Sequence, residues 1–139
     1  DVDDPGACLE RCRKALADDG LLVVQTHNID SREARRYAGR WFNIEAPRHV
    51  WHFGPETLKR LLQNNGFRQE ELLHYGSAYV TGRSIENRRG KVFPSSALDR
   101  IRQRFIIEPA ARIAPRLGQG IMIEAYCRKG GGEPAGQEP

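Results

Sequence analysis

Cysteine is scarce in this chain, and long apolar runs are missing. Cys8, Cys12 and Cys127 are the only cysteines. An odd count in a chain of this length does not read as a disulfide framework. Cys8 and Cys12 lie four apart, on one helical face, but no two further ligands follow nearby to complete a zinc site. We therefore expect no metal, and half-buried thiols in a reducing cytoplasm. No stretch approaches the ~20 apolar residues that cross a bilayer, and no stretch of the sequence reads as a signal peptide. Aromatics are 8% and hydrophobic residues 39% of the 139 positions. The apolar share is below the usual globular value, and the mean hydropathy is -0.63. A core this lean suggests a domain whose partner surface lies elsewhere. Also absent is any G-x-G-x-x-G loop; Gly130-Gly131-Gly132 belongs to a polar tail.

Charge is mildly basic, at +4, with a pI near 9.2. That alone does not imply nucleic acid. The excess is local: nine Lys or Arg stand against three acids between Arg83 and Arg116. Arg100, Arg102 and Arg104 lie beside Ile101 and Phe105. Such a segment suits a membrane-surface helix or a lid over an anionic substrate. The plain alternative is a solvated helix face over the end of a sheet. A lid is preferred to a membrane contact. The aromatics fall in a different segment and no nucleic-acid motif accompanies the charge, so no nucleic-acid partner is expected.

Along the chain, Asp4-Pro5-Gly6 starts a helix, with Asp4 as cap and Pro5 in the first turn. Cys8, Leu9, Cys12 and Leu16 mark its apolar face to about Ala17, and Gly20 is expected as its left-handed stop. Leu21-Leu22-Val23-Val24-Gln25-Thr26 is short, continuous and β-branched at its centre. It reads as a strand buried on both faces, central in a parallel sheet. Asp30 and Glu33 have capping-box spacing for a short helix through Ala34 and Tyr37. From Gly39 to Phe53 the chain is irregular yet holds Trp41, Phe42, Trp51 and Phe53. A loop with that much aromatic surface usually covers something. Gly54-Pro55-Glu56-Thr57 opens a helix striped by Leu58, Leu61 and Leu62 and closed at Asn64-Asn65-Gly66. Phe67 to Tyr75 is a strand. Residues 76–117 form a long insert, with helical periodicity at Leu98, Ile101 and Phe105 and a break at Pro109. Ile121 to Cys127 is the last strand, and Lys129 onward is polar and expected to be disordered.

Three pieces of the chain occur in a fixed order: the helix, Asp-Asp-Gly and Leu-Leu-Val-Val-Gln-Thr-His-Asn; Arg40 to Leu58, containing Pro47-Arg48-His49-Val50-Trp51-His52-Phe53-Gly54-Pro55-Glu56-Thr57; and Gly120 to Tyr126. Together they resemble the C-terminal half of class I S-adenosylmethionine-dependent methyltransferases. The similar branch acts on small molecules and carries a Pro-Arg-His-x-x-His-Phe-x-Pro-Glu-Thr segment. The resemblance covers about residues 2–129 and is weakest in the insert. It implies an α/β, Rossmann-like sheet in which Leu21–Thr26, Phe67–Tyr75 and Ile121–Cys127 are strands five, six and seven. The seventh would run antiparallel between the other two. It also implies a partial methyltransferase domain at 1–129, with a helical insertion at 77–117 and a disordered tail at 130–139.

The family's glycine-rich loop and acidic ribose-binding residue belong to earlier strands than these. Ligands of open α/β sheets sit where the strand order reverses, and that crevice is not encoded here. S-adenosylmethionine is therefore expected in the complete enzyme, with no cofactor held by this chain alone, which would be inactive. The chain begins at Asp1 rather than Met, in keeping with a piece of a longer polypeptide. The strand at Leu21–Thr26 would lack its neighbour, so pairing with the missing N-terminal half, a dimer or a domain swap is expected.

The resemblance places Asn28, just past the tip of Leu21–Thr26, toward the substrate; the plain reading is a turn former. Arg48 suits a substrate carboxylate or phosphate, against a salt bridge with Glu45 or Glu56. His49 suits a general base, against a hydrogen-bonded loop histidine. His52, three residues on, and Trp41 complete the substrate-binding candidates, Trp41 and Trp51 by stacking on a ring; packing of the loop on the sheet is the alternative for at least one of the two. The rival to an enzyme is a non-catalytic interaction module of the same fold.

Overall fold

A computed structural model describes residues 2–45 and 48–130. The first helix, α1, spans Pro5–Ala15. Asp4 caps it, its Oδ1 accepting from the Ala7 N–H at 3.0 Å, and Arg13 and Lys14 in its last turn suit the negative end of the helix dipole. Gly20 does not stop this helix in a left-handed conformation, since it is absent from the positive-φ residues. It is required for space instead. A Cβ there would stand 2.6 Å from the Leu16 side chain and 2.9 Å from the Ala17 carbonyl.

Strand β1 is Leu22–His27, and α2 is Arg32–Tyr37. Ser31, not Asp30, caps α2: its Oγ accepts from the Ala34 N–H at 3.1 Å. Single 3-10 turns at Ala38–Arg40 and Phe42–Ile44 carry the aromatic loop. Helix α3 is Pro55–Asn64, strand β2 is Phe67–Tyr75, and strand β3 is Met122–Lys129.

The sheet order is β1-β3-β2, and β3 is antiparallel to both neighbours. The last strand thus lies between the other two and runs against them, as the resemblance implied. The expected parallel surroundings of β1 are not found among the described residues. Here β1 is an edge strand whose one paired neighbour is antiparallel. It is also buried on one face rather than two. Leu22 and Val24 pack against the core, whereas Val23 is 46% exposed. A continuous apolar run made this strand look doubly covered; the sheet in these residues has cover on one side.

That covered side holds the main core. Ile123, Ala125 and Cys127 alternate along β3 and meet Leu9 of α1, Leu58 and Leu62 of α3, and Phe67. Burial pushes the Cys127 thiol up to about 11, as it must for a thiol in an apolar wall. All three cysteines are free. The opposite side of the sheet is polar. Glu124 accepts from Tyr75 and Tyr126 hydroxyls at 2.9 and 2.7 Å.

Between β2 and β3 lies the helical insert. Helix α4 spans Ala78–Arg89 and was not foreseen. Helices α5 (Ala97–Arg102) and α6 (Glu108–Ile113) follow, joined by a π turn at Gln103–Ile107 and ended by a 3-10 turn at Ala114–Leu117. Pro109 does not break the helix. It sits in the first turn of α6, and the wider π turn just before it accommodates the missing N–H. The Leu98, Ile101 and Phe105 periodicity is helical but faces outward, at 73%, 55% and 72% exposure. Among the described residues no helix is long and apolar enough to cross a membrane. Lys129, expected to open a disordered tail, is instead the last residue of β3, paired with Phe67, and the Gly130 N–H donates to the Gly66 carbonyl at 2.8 Å; the rest of the tail lies outside the described residues.

Candidate functional site

The backbone leaves β1 at His27 and turns at Asn28, and several elements fix that tip. Asn28 is 1% exposed. Its Nδ2 donates to the Gly120 carbonyl at 2.8 Å and its Oδ1 accepts from the Asp30 N–H at 3.0 Å. Its own N–H donates to Ile121 O at 2.8 Å, and it bridges to Phe53 in the aromatic loop. Gly120 must be glycine here, because a Cβ would stand 2.7 Å from the Tyr75 carbonyl. Both ends of the Asn28 amide are thus engaged in tying three segments together.

Around the tip the loop residues gather. The His27 ring meets Trp41 edge-on at 6.2 Å and His49 edge-on at 5.1 Å. Burial, then the neighbouring His49, hold His27 below its ordinary value of 6.5, so the neutral ring is favoured. His49 lies 3.0 Å from the Glu45 carboxylate through Nε2. The same carboxylate oxygen is 3.9 Å from the Arg48 guanidinium, which is otherwise exposed. His52 has a buried Nδ1 with no hydrogen-bond partner. Trp41 is sealed in a second core cluster with Ala34, Val80 and Ile121. A depression of about 150 Å³ is lined by Gln25, Thr26, His27, His49, Trp51 and Met122. Trp51 is half exposed there, its Nε1 donating to Asp3 O at 3.1 Å.

The structure therefore brings Trp41 and His49 together about His27 and places Asn28 at the adjoining turn. Arg48 shares the Glu45 carboxylate with His49, the ion pair that was the alternative for it, and is otherwise exposed to solvent. Pro47 of the Pro-Arg-His segment lies outside the described residues. Among the described residues no three His, Cys, Asp or Glu side chains are placed to hold a metal ion.

A second and much larger hollow was not legible in the sequence. It measures about 870 Å³ and lies between α2, α4 and the α5–α6 run. Arg32 and Arg36 reach it from α2, Arg88 and Arg89 from α4, and Arg102 from α5. Glu33 lies in its wall. Its Oε2 accepts from the Thr81 hydroxyl at 2.5 Å, while its buried Oε1 makes no hydrogen bond of good geometry among the described residues. Burial pushes the Glu33 carboxyl above 4.5; hydrogen bonding from Thr81 is the largest effect opposing it. The two hollows adjoin consecutive residues of the chain, Met122 lining the small one and Ile121 the large.

The mixed α/β architecture with its small antiparallel sheet is consistent with what comparison finds. A family model described as a methyltransferase domain matches residues 1–72. That span is more than half of the chain, and the chain belongs to this family. The matched stretch contains Asn28, Trp41, Arg48, His49 and His52 and stops short of the helical insert. No curated protein matches the chain.

Proposed function

We propose that these residues form the substrate side of a class I S-adenosylmethionine-dependent methyltransferase acting on a small molecule, in the cytoplasm. The observation that carries the reading is the β1-β3-β2 sheet with its antiparallel central strand, in a chain that belongs to the methyltransferase domain family. On this reading β1, β2 and β3 are strands five, six and seven of the complete sheet, and residues 77–117 are an insertion into it.

The residues present do not fit the methyl donor by themselves. The depression at the tip of β1, at about 150 Å³, is smaller than the ~300–1,000 Å³ of small-molecule sites. No carboxylate lines it to meet a ribose, and no glycine-rich loop is encoded. Donor recognition therefore belongs to polypeptide outside these residues, which would pair with the free edge of β1, and this chain alone is inactive.

What the chain contributes is positioning and proton handling. His49, oriented by the Glu45 carboxylate, accepts the proton of the substrate's nucleophile. Trp51 and the His27 edge bound the reacting group, Trp41 backs the His27 ring, and His52 is a further substrate contact. Arg48 reaches an acidic part of the substrate from the rim. Asn28 is a positioning residue that fixes the tip of β1.

Titration with labelled S-adenosylmethionine tests the division of labour. The chain alone should show no binding at micromolar donor, and tight binding there would overturn it. Joined to a donor-binding methyltransferase half, the chain should transfer label to a small acceptor, and His49→Gln should lower turnover by about 10²–10⁴-fold with donor affinity unchanged. The rival interaction module draws support from the free, partly apolar β1 edge, where Leu21 and Val23 are each 46% exposed. A joined protein that binds donor but methylates no acceptor would favour that rival.

A further inference from the structure

We propose that the large arginine-rimmed cleft binds an anionic amphiphile: a carboxylate or phosphate head on an apolar body. The inference names the substrate class for the proposed function and rests on that reading for calling the ligand a substrate.

Charge is the first argument. Arg32, Arg36, Arg88 and Arg102 line the cleft and have no carboxylate partner among the described residues. The fifth arginine, Arg89, is paired with Asp99 at 3.0 Å. Compensation from the insert is already committed. Glu86 pairs with Arg83, Asp99 with Arg89 and Glu108 with Arg104. The one acid in the cleft wall is Glu33, and burial favours its neutral form. A concave wall where five arginines face one carboxyl focuses positive potential and concentrates anions. Guanidinium forks match the geometry of carboxylate and phosphate oxygens.

The remainder of the wall is apolar. Ile85, Ile107, Ile113 and Leu117 line it, and Ile113 and Leu117 stay 51% and 70% exposed. At about 870 Å³ the hollow has the size of a small-molecule site. A bare inorganic anion would leave that apolar surface wet; an amphiphile covers it while its head meets the arginines. The cleft also abuts the proposed chemistry, since Gln119 and Ile121 line it and the intervening Gly120 carbonyl is held by Asn28.

Calorimetry on the full 139-residue chain tests this, with eight-carbon probes kept below their micelle-forming concentrations. Octyl phosphate and octanoate should bind at least tenfold more tightly than octanol, octyltrimethylammonium or inorganic phosphate. Arg36→Gln with Arg88→Gln should weaken octyl phosphate at least tenfold. Arg100→Gln with Arg112→Gln, an equal charge change outside the cleft, should not, and unfolding temperatures of both variants check that each is folded. Equal binding of octanol or inorganic phosphate, or equal losses in the two double variants, would overturn the proposal. So would binding confined to anionic phospholipid vesicles with no uptake of the monomeric probes, because the basic face would then serve a membrane surface. No methyl donor is present, so failure here leaves the methyltransferase reading standing, and failed methyl transfer leaves this binding result intact.

Discussion

Replacing Asn28 by alanine should destabilise the fold rather than merely weaken a ligand contact. The side chain is 1% exposed, and its amide spans two backbone groups, the Gly120 carbonyl at 2.8 Å and the Asp30 N–H at 3.0 Å. Gly120 is itself buried. Alanine leaves the carbonyl without its side-chain donor and the N–H without its acceptor. A buried group stripped of its partner costs about 1–3 kcal/mol. Asp30 is exposed and water can serve its N–H, so the two together come to about 1–4 kcal/mol. For a chain of this size that lowers the unfolding temperature by about 4–16 °C, at about 4 °C per kcal/mol. Asn28→Asp sharpens the test. It keeps the acceptor for Asp30 but turns a carboxylate oxygen toward the Gly120 carbonyl, so at neutral pH it should be no more stable than the alanine variant. Thermal unfolding followed by circular dichroism, with urea midpoints as a second measure, reads both. An alanine variant that melts within about 2 °C of the parent would refute the reasoning and return Asn28 to the substrate site as a free ligand.

Leu62→Ala should cost about 2–5 kcal/mol, because Leu62 is fully buried in the cluster joining α3 to the sheet; a guanidinium midpoint implying under about 1 kcal/mol would show that α3 does not pack as described. Glu33→Gln should alter how stability varies with pH. The folded Glu33 carboxyl lies above its ordinary 4.5, so the folded state holds the proton more tightly, and its contribution is lost as pH rises from 4.5 through the raised value. The variant should therefore gain on the parent as pH rises above about 4.5, and urea curves that shift in parallel would sink the assignment.

Some elements could be read from the residues because local and tertiary signals agree. Gly66 and Gly76 bracket β2, and the structure places that strand at Phe67–Tyr75, as read. Pro55 and the leucine stripe likewise fixed α3. Helix α4 was invisible for a specific reason. Its buried residues are Val80, Gly82 and Ser84, small side chains that let neighbours approach and leave no apolar stripe to detect. The α5 stripe misled in the other direction. Leu98, Ile101 and Phe105 have the right spacing for a core face, yet they point outward while Asp99 and Ile107 are buried. Asp99 is held there by Arg89 and by both the N–H and the hydroxyl of Ser95, which no count of apolar periodicity anticipates.

The site divided in the same way. Residues close in sequence were recognisable as a group: Trp41, His49 and His52 lie in one loop, and two of them meet the ring of His27 at the end of β1. The cleft was not recognisable, because its charge is assembled from three segments. Arg32 and Arg36 precede the matched histidines, whereas Arg88 and Arg102 follow them by dozens of residues. A count of basic residues in the insert captured part of that surface and suggested a lid over an anionic substrate, without the α2 arginines that complete the wall. Pairing decides what the count could not. Each insert acid neutralises a different arginine, and several of the arginines left over converge on one wall with Ile113 and Leu117. On the proposal that the cleft takes an anion, the basic excess complements that ligand, and the distinction from a solvated face rests on which charges have partners, a property of the fold and not of the composition.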